Sequence, residues 1–237
     1  MNYTYLDCLA SFGVGGAHPG GLQLTKNILA REYIDQDKSI LDVGCGTGQT
    51  SAYIAEKYRC SVTSLDSNKT MLKKAKLRFS SLQLPIDVMY GSVENLPFMD
   101  GLFDFILSES VTSFTNVSLT IQEFKRVLKP NGILLAIELV REDSLSEEGL
   151  KTIVDFYGVA QLLIESEWYN LFQKAGFTQI SVEKFKQQFY GNNIDTVNDF
   201  SLSENIDDKL LEIFEKHEHL TTTYKDKLGF CIFRCCV

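Results

Sequence analysis

The chain has 237 residues, enough to bury a sizeable core in one domain, and its 44% hydrophobic and 23% charged residues are ordinary globular usage. A formal net charge of −8, from 31 acidic against 23 basic side chains, argues against a nucleic-acid surface, which needs clustered lysine and arginine. Met1–Ala10 lacks the basic start of a signal peptide and no apolar run approaches the roughly 18 residues of a membrane helix, so the expectation is a soluble cytoplasmic protein with its cysteines reduced.

Residues 1–37 read as a helical leader that could act as a lid. Within it, Gly13-Val14-Gly15-Gly16-Ala17-His18-Pro19-Gly20-Gly21 is dense in glycine and leads into a helix over Leu22–Glu32. So many glycines suggest close backbone approach to a ligand, with His18 as a proton acceptor; the plainer reading is a hinge with His18 at a helix start. Ser39–Gly44 is a buried strand running into a glycine turn, followed by a helix over Gln49–Tyr58. Ser61–Leu65 is a second strand ended by Asp66, and Asn68 caps a helix whose lysines at 69, 73, 74 and 76 form a solvated face.

Ile86–Tyr90 and Phe103–Leu107 are further strands. A helix over Ser118–Leu128 is predicted to stop at Lys129-Pro130-Asn131-Gly132, and Ile133–Val140 is an apolar strand suited to the middle of a parallel sheet. Residues 39–140 thus alternate strand and helix in the rhythm of a doubly wound sheet. Residues 141–165 read as an insertion, a polar connection over Arg141–Gly149 and then a helix over Leu150–Leu163, whose Phe156 and Tyr157 either wall an acceptor pocket or pack as core. Trp168 and Tyr169, further on, carry the same two readings. Residues 166–237 supply a helix over Ser166–Ala175, a strand at Ile180–Phe185, an acidic helix over Ile206–His219 and a last strand from Leu228. His217 and His219 are expected on the surface. Alternation in Phe230–Val237 sends Cys231, Cys235 and Cys236 to different faces, so no metal site is expected there.

Leu41-Asp42-Val43-Gly44-Cys45-Gly46-Thr47-Gly48 carries the chemistry. Alternate glycines after a strand let a ligand approach the backbone, and the next helix offers free N–H groups and a positive dipole end. The spacing is G-x-G-x-G, whereas a dinucleotide fold wants G-x-G-x-x-G/A. Asp66, at the end of the second strand, can accept from both hydroxyls of a ribose, a geometry shared by nicotinamide dinucleotides and adenosyl cofactors. Glu109, just past the fourth strand, is a candidate base or acceptor-orienting group, or else a solvated acid.

Four segments, the glycine turn, Asp66, Gly91-Ser92-Val93-Glu94-Asn95-Leu96-Pro97-Phe98 with Phe103-Asp104, and Arg126–Gly132, match in order and spacing the motifs of the class I S-adenosylmethionine-dependent methyltransferases. The chain resembles that family, and within it the small-molecule enzymes of ubiquinone and menaquinone biosynthesis. The resemblance implies a Rossmann-like, doubly wound, mostly parallel α/β sheet of seven strands with a reversed C-terminal strand. It implies S-adenosylmethionine as cofactor, S-adenosylhomocysteine as product and a small-molecule acceptor. By position, Asp42 and the backbone of Gly44, Cys45, Gly46 and Gly48 would hold the methionine moiety. Asp66 would hold the ribose, and Ser67 and Met71 would lie near the adenine. Ser92 stands where many relatives carry an aspartate, leaving Val93 and Glu94 to meet the adenine, and Ser108 with Glu109 would face the methionine end and the acceptor. A nicotinamide-dependent oxidoreductase and a non-catalytic cofactor-binding subunit are the competing readings.

Overall fold

The structure, a computed structural model, describes residues 3–185, 201–203 and 206–237, so part of the C-terminal region lies outside the described residues. Its strands are β1 (Ser39–Val43), β2 (Ser61–Asp66), β3 (Asp87–Tyr90), β4 (Phe103–Glu109), β5 (Leu128–Arg141), β6 (Thr178–Phe185) and β7 (Leu228–Cys236). They form one seven-stranded sheet in the order β3-β2-β1-β4-β5-β7-β6. β1 pairs in parallel with β2 and β4, β2 with β3 and β4 with β5; β7 runs antiparallel to both β5 and β6. This is the doubly wound sheet that the strand and helix rhythm predicts, with the reversed C-terminal strand that the resemblance implies.

Period-two alternation along the strands divides the core between the two faces. Leu41, Ile106, Leu134 and Phe233 pack on one face with Phe124, Trp168 and Phe172. Their strand neighbours Ile40, Phe105, Leu135 and Ile232 pack on the other with Ile28, Leu29 and Ile54. A central strand covered by helices on both faces must be apolar throughout, which is why these strands read as unbroken hydrophobic runs. Trp168 is wholly buried and donates its indole N–H to Leu139 O at 3.1 Å, so it belongs to this core.

The helices are α1 (Tyr5–Phe12), α2 (Gly21–Leu29), α3 (Gln49–Tyr58), α4 (Lys69–Ser81), α5 (Val117–Val127), α6 (Glu147–Tyr157), α7 (Glu165–Lys174) and α8 (Asp208–Thr223), with a short 3₁₀ helix at Thr112–Phe114. None is long and apolar enough to cross a membrane. Three local expectations change. No loop separates α5 from β5: Leu128 already pairs with Phe103, the register shifts before Phe105, and Asn131 turns the chain at φ 64° inside the strand. α6 starts at Glu147 rather than Leu150, because Ser146 Oγ accepts from Gly149 N at 3.1 Å and two glutamates occupy its first turn; it stops at Gly158, φ 71°.

His217 is not on the surface. Its Nδ1 lies 2.9 Å from Tyr157 Oη and its ring 5.2 Å from that of Tyr5, inside an aromatic cluster where α1, α6 and α8 meet. Burial lowers its pKa. His219, two residues on, is exposed as expected.

Candidate active site

The order β2-β1-β4 places the strand-order reversal between β1 and β4, where a doubly wound sheet opens a crevice beyond its carboxyl ends. The turn after β1 occupies it. Gly44, Gly46 and Gly48 all have positive φ, at 60°, 54° and 76°, which glycine adopts without strain. Gly48 begins α3 without a side-chain cap, so no capping side chain covers the start of the helix, although the Ser51 backbone is turned to Asp42. A Cβ on Gly44 would overlap Val111 and one on Gly48 would overlap the Phe79 ring, whereas a Cβ on Gly46 would meet nothing within 4 Å. The first and last glycines are therefore demanded by packing, and the middle one faces open space. Thr47 Oγ1, buried in the same turn, and Ser110 Oγ, at φ 59°, have no hydrogen-bond partner among the described residues.

Three carboxylates surround this turn. Asp42 is 2% exposed and accepts from Ser51 Oγ at 2.5 Å; Ser51 Oγ accepts in turn from Ser64 Oγ at 2.6 Å. Burial, with the charge of Glu109 nearby, pushes the Asp42 carboxyl up to about 8, against the opposing hydrogen bond from Ser51. Asp66 Oδ2 accepts from Gly46 N at 2.9 Å and Oδ1 from Asn68 N at 2.7 Å, which ties the glycine turn to the start of α4. Burial raises its pKa, partly offset by those backbone donors. Glu109, at the end of β4, is the third.

The glycine-rich leader segment lies over the same place. A Cβ on Gly16 would stand 2.9 Å from Gln49 Oε1, at the start of α3. His18 is 7% exposed, with Nε2 3.4 Å from Glu109 Oε2 and 3.2 Å from Thr25 Oγ1, and Nδ1 3.2 Å from Pro19 O. Thr25 on α2 donates to Glu109 Oε1 at 2.6 Å, and Thr50 on α3 donates to Oε2 at 2.8 Å. The leader, α3 and β4 thus converge on one carboxylate. The sequence reading picks out His18 and Glu109 but passes over Thr25 and Thr50. Their signal is position: Thr25 stands in α2 seven residues beyond His18, and Thr50 in the first turn of α3.

On the other side of the turn, Met71 is buried on α4 while Ser67 is exposed. Ser92 is exposed and accepts from Glu94 N at 3.2 Å; Val93 is buried. Glu94 Oε1 accepts from Asn116 N at 2.6 Å, just before α5. Cys45 is buried, with its N–H bonded to Leu65 O at 3.1 Å. Ser108 is wholly buried, its Oγ 3.0 Å from Thr112 Oγ1 and 3.3 Å from Glu138 Oε1. The Arg126 guanidinium binds Glu123, Asp100 and the carbonyls of Leu96 and Phe98, so it holds the Gly91–Phe98 loop. Among the described residues no cluster of histidine, cysteine and acidic side chains could hold a metal ion.

The cofactor implied by the motifs fits this site. A cradle open over Gly46, a buried unpartnered hydroxyl on Thr47 and the uncapped α3 start offer room and donors for a carboxylate. Carboxylates of Asp42, Asp66 and Glu109, which the described residues leave without any lysine or arginine partner, suit a ligand bearing an ammonium, a sulfonium and ribose hydroxyls.

A methyltransferase-domain family model matches residues 41–136, from β1 into β5. An uncharacterized methyltransferase of Bacillus subtilis, YodH, is 38% identical over 97% of this chain and 97% of its own. Among solved structures, phosphoethanolamine N-methyltransferase 2 of Haemonchus contortus, in complex with phosphomonomethylethanolamine and S-adenosylhomocysteine, superposes with a TM-score of 0.79 at 20% identity, covering 97% of this chain and 57% of that one. Geranyl diphosphate C-methyltransferase of Streptomyces coelicolor gives 0.72 at 11% identity, covering 91% of this chain and 79% of that one. With its motifs, its reversed β7 and a relative matched end to end, the chain belongs to the class I S-adenosylmethionine-dependent methyltransferases.

Proposed function

We propose that this enzyme methylates a small-molecule amine or hydroxyl in the cytoplasm, with Glu109 taking the acceptor's proton and His18 holding Glu109 in place. The observation that carries this reading is the convergence of His18, Thr25 and Thr50 on the Glu109 carboxylate beside the glycine turn. S-adenosylmethionine, when bound, supplies a methyl group made electrophilic by its sulfonium.

The protein's own part is to hold, align and deprotonate. Asp42 and the backbone of Gly44, Cys45, Gly46 and Gly48 hold the amino-acid half of the cofactor, with Ser108 behind its methionine end. Asp66 takes the ribose hydroxyls, and Ser67, Met71, Ser92, Val93 and Glu94 border the adenine. Glu109 would take the proton of an acceptor N–H or O–H, while the bound cofactor would supply the methyl carbon and keep the electron pair of the broken carbon–sulfur bond as a neutral thioether. The Glu109 side chain is 12% exposed and that of His18 only 2%, so Glu109 meets the acceptor and His18 stands behind it. The His18 nitrogens face Pro19 O and Glu109, so a proton passed to the pair finds an acceptor on each side. The net charge of −8 and the acid-lined site favour a small, neutral or cationic acceptor over a nucleic acid.

Calorimetric titration with S-adenosylmethionine, S-adenosylhomocysteine and NADH is the first test, with saturable binding of the two adenosyl compounds and none of NADH as the expected result. Amines and hydroxyl compounds are then screened by S-adenosylhomocysteine formation. In Glu109→Gln the turnover of any acceptor found falls by about 10²-fold or more, the scale of general-base catalysis, while S-adenosylhomocysteine affinity stays within a few-fold. Loss of cofactor affinity with turnover retained would assign Glu109 to the cofactor instead.

A further inference from the structure

Glu138 lies near the C-terminal end of β5, next to Ser108 on β4, and is wholly buried. A buried carboxylate is costly unless every lone pair is engaged, and an apolar residue of similar volume would pack in a sheet at lower cost. Glu138 is engaged throughout. Its Oε1 accepts from Thr112 N at 3.0 Å and from Ser108 Oγ at 3.3 Å; its Oε2 accepts from Ser113 N at 3.2 Å and from Ser113 Oγ at 2.9 Å. All but one of these donors belong to the short 3₁₀ helix that follows β4.

That turn is a joint between the two halves of the site. Ser110, held by Ile137 O at 2.7 Å, bends the chain just after Glu109 in the left-handed region. Val111 packs against Gly44 so closely that no Cβ could stand there. Phe114 packs in the aromatic cluster of α1, α6 and α8, and Ser113 O accepts from Ala160 N at 2.9 Å, beyond α6. These contacts hold the two ends of the turn, and Glu138 is the partner of the backbone N–H groups of Thr112 and Ser113 at its middle, where a single 3₁₀ turn has weak intrinsic stability.

We propose that Glu138 is a positioning residue for methyl transfer, fixing the turn at residues 110–114 so that Val111 walls the first glycine of the cofactor turn and Glu109 is held facing His18. Glu138 itself touches neither cofactor nor acceptor. The inference rests on the reading above, which places the amino-acid half of the cofactor beside Gly44.

The test compares S-adenosylhomocysteine with adenosine, which lacks the amino-acid half, on wild type, Glu138→Gln and Ser113→Ala. Wild-type binding of the two compounds reports on the site reading, and the ratio of variant to wild type reports on Glu138. In Glu138→Gln the amide keeps the volume but turns a donor toward the donors of Thr112 or Ser113. The expected result is a loss of S-adenosylhomocysteine affinity of about tenfold with adenosine binding within twofold. Ser113→Ala, which leaves the carboxylate in place, loses affinity by a smaller factor in the same direction. The double variant should be no worse than Glu138→Gln alone, as partners in one interaction require. Should Glu138→Gln fail to fold, Ser113→Ala decides by itself. Unchanged S-adenosylhomocysteine affinity in the folded variants, or equal weakening of both compounds, overturns the proposal, since a merely structural carboxylate would lower the melting temperature without distinguishing the two ligands.

Discussion

Asp42 shows most plainly how one residue sets the behaviour of the site. Its carboxyl, pushed up to about 8 by burial and by Glu109, carries a proton near neutral pH in the free protein. An unfolded aspartate titrates near 4, so between about pH 4 and pH 8 the native state holds one proton more than the unfolded state, and this group makes stability fall as pH rises. With the cofactor's ammonium beside Asp42, as proposed, binding favours the charged form, and the expected outcome is release of the proton and an affinity that rises with pH toward 8. Titration with S-adenosylhomocysteine at pH 7 in two buffers of different ionisation heat should show release approaching one proton, and Asp42→Asn should abolish that release and flatten the fall in stability. Equal heats in both buffers for wild type would mean that Asp42 does not change its protonation on binding. Asp42 and Asp66 are legible in the sequence because each closes a strand beside a recognisable turn. Ser51, Thr25, Thr50 and Glu138 are not, because a hydroxyl on a helix, or an acid within an apolar strand, acquires its partner only when distant segments meet.

Among the elements, the glycine turn with α3 is the part read most completely from sequence, and the structure separates what its glycines do. Gly48→Ala puts a methyl group into the Phe79 ring at φ 76°. Backbone strain and overpacking together should cost on the order of 2–4 kcal/mol in urea unfolding. Gly46→Ala, at φ 54° and facing open space, should cost only about 1–2 kcal/mol but remove most of the affinity for S-adenosylhomocysteine, since its methyl group would stand in the space the proposed cofactor site needs. Equal stability loss in the two variants, with binding kept in Gly46→Ala, would place the ligand elsewhere. The sequence is least legible where two signals overlap. Lys129-Pro130-Asn131-Gly132 has the composition of a helix exit, yet pairing of Leu128 with Phe103 takes it into β5. The start of α6 is not legible in the sequence because Ser146 and the glutamates after it resemble an exposed loop until the cap forms.

Across the whole molecule, the leader is bound to a segment late in the chain, residues 201–203, directly and through α4. Lys74, on the α4 face that looks away from the solvent-exposed lysines at 69, 73 and 76, donates to Ser11 O at 3.1 Å and also to Ser201 O. Ser201 N donates to Gly13 O at 3.1 Å and Ser203 N to Ser11 O at 2.9 Å, so residues 201–203 run beside the end of α1. The same α4 packs Ala75 and Phe79 against Gly48. Lys74 therefore joins the helix packed beneath the glycine turn to the end of α1 and to residues 201–203, and burial lowers its pKa. If the leader must swing away for the product to leave, the ammonium-to-carbonyl bonds are part of that barrier. Lys74→Met keeps the stem packed and removes the donors; a charged hydrogen bond contributes about 1.5 kcal/mol, which corresponds to roughly tenfold faster release of S-adenosylhomocysteine in a stopped-flow chase. Release at the wild-type rate, in a variant that melts at the wild-type temperature, would show that the product leaves without moving the leader.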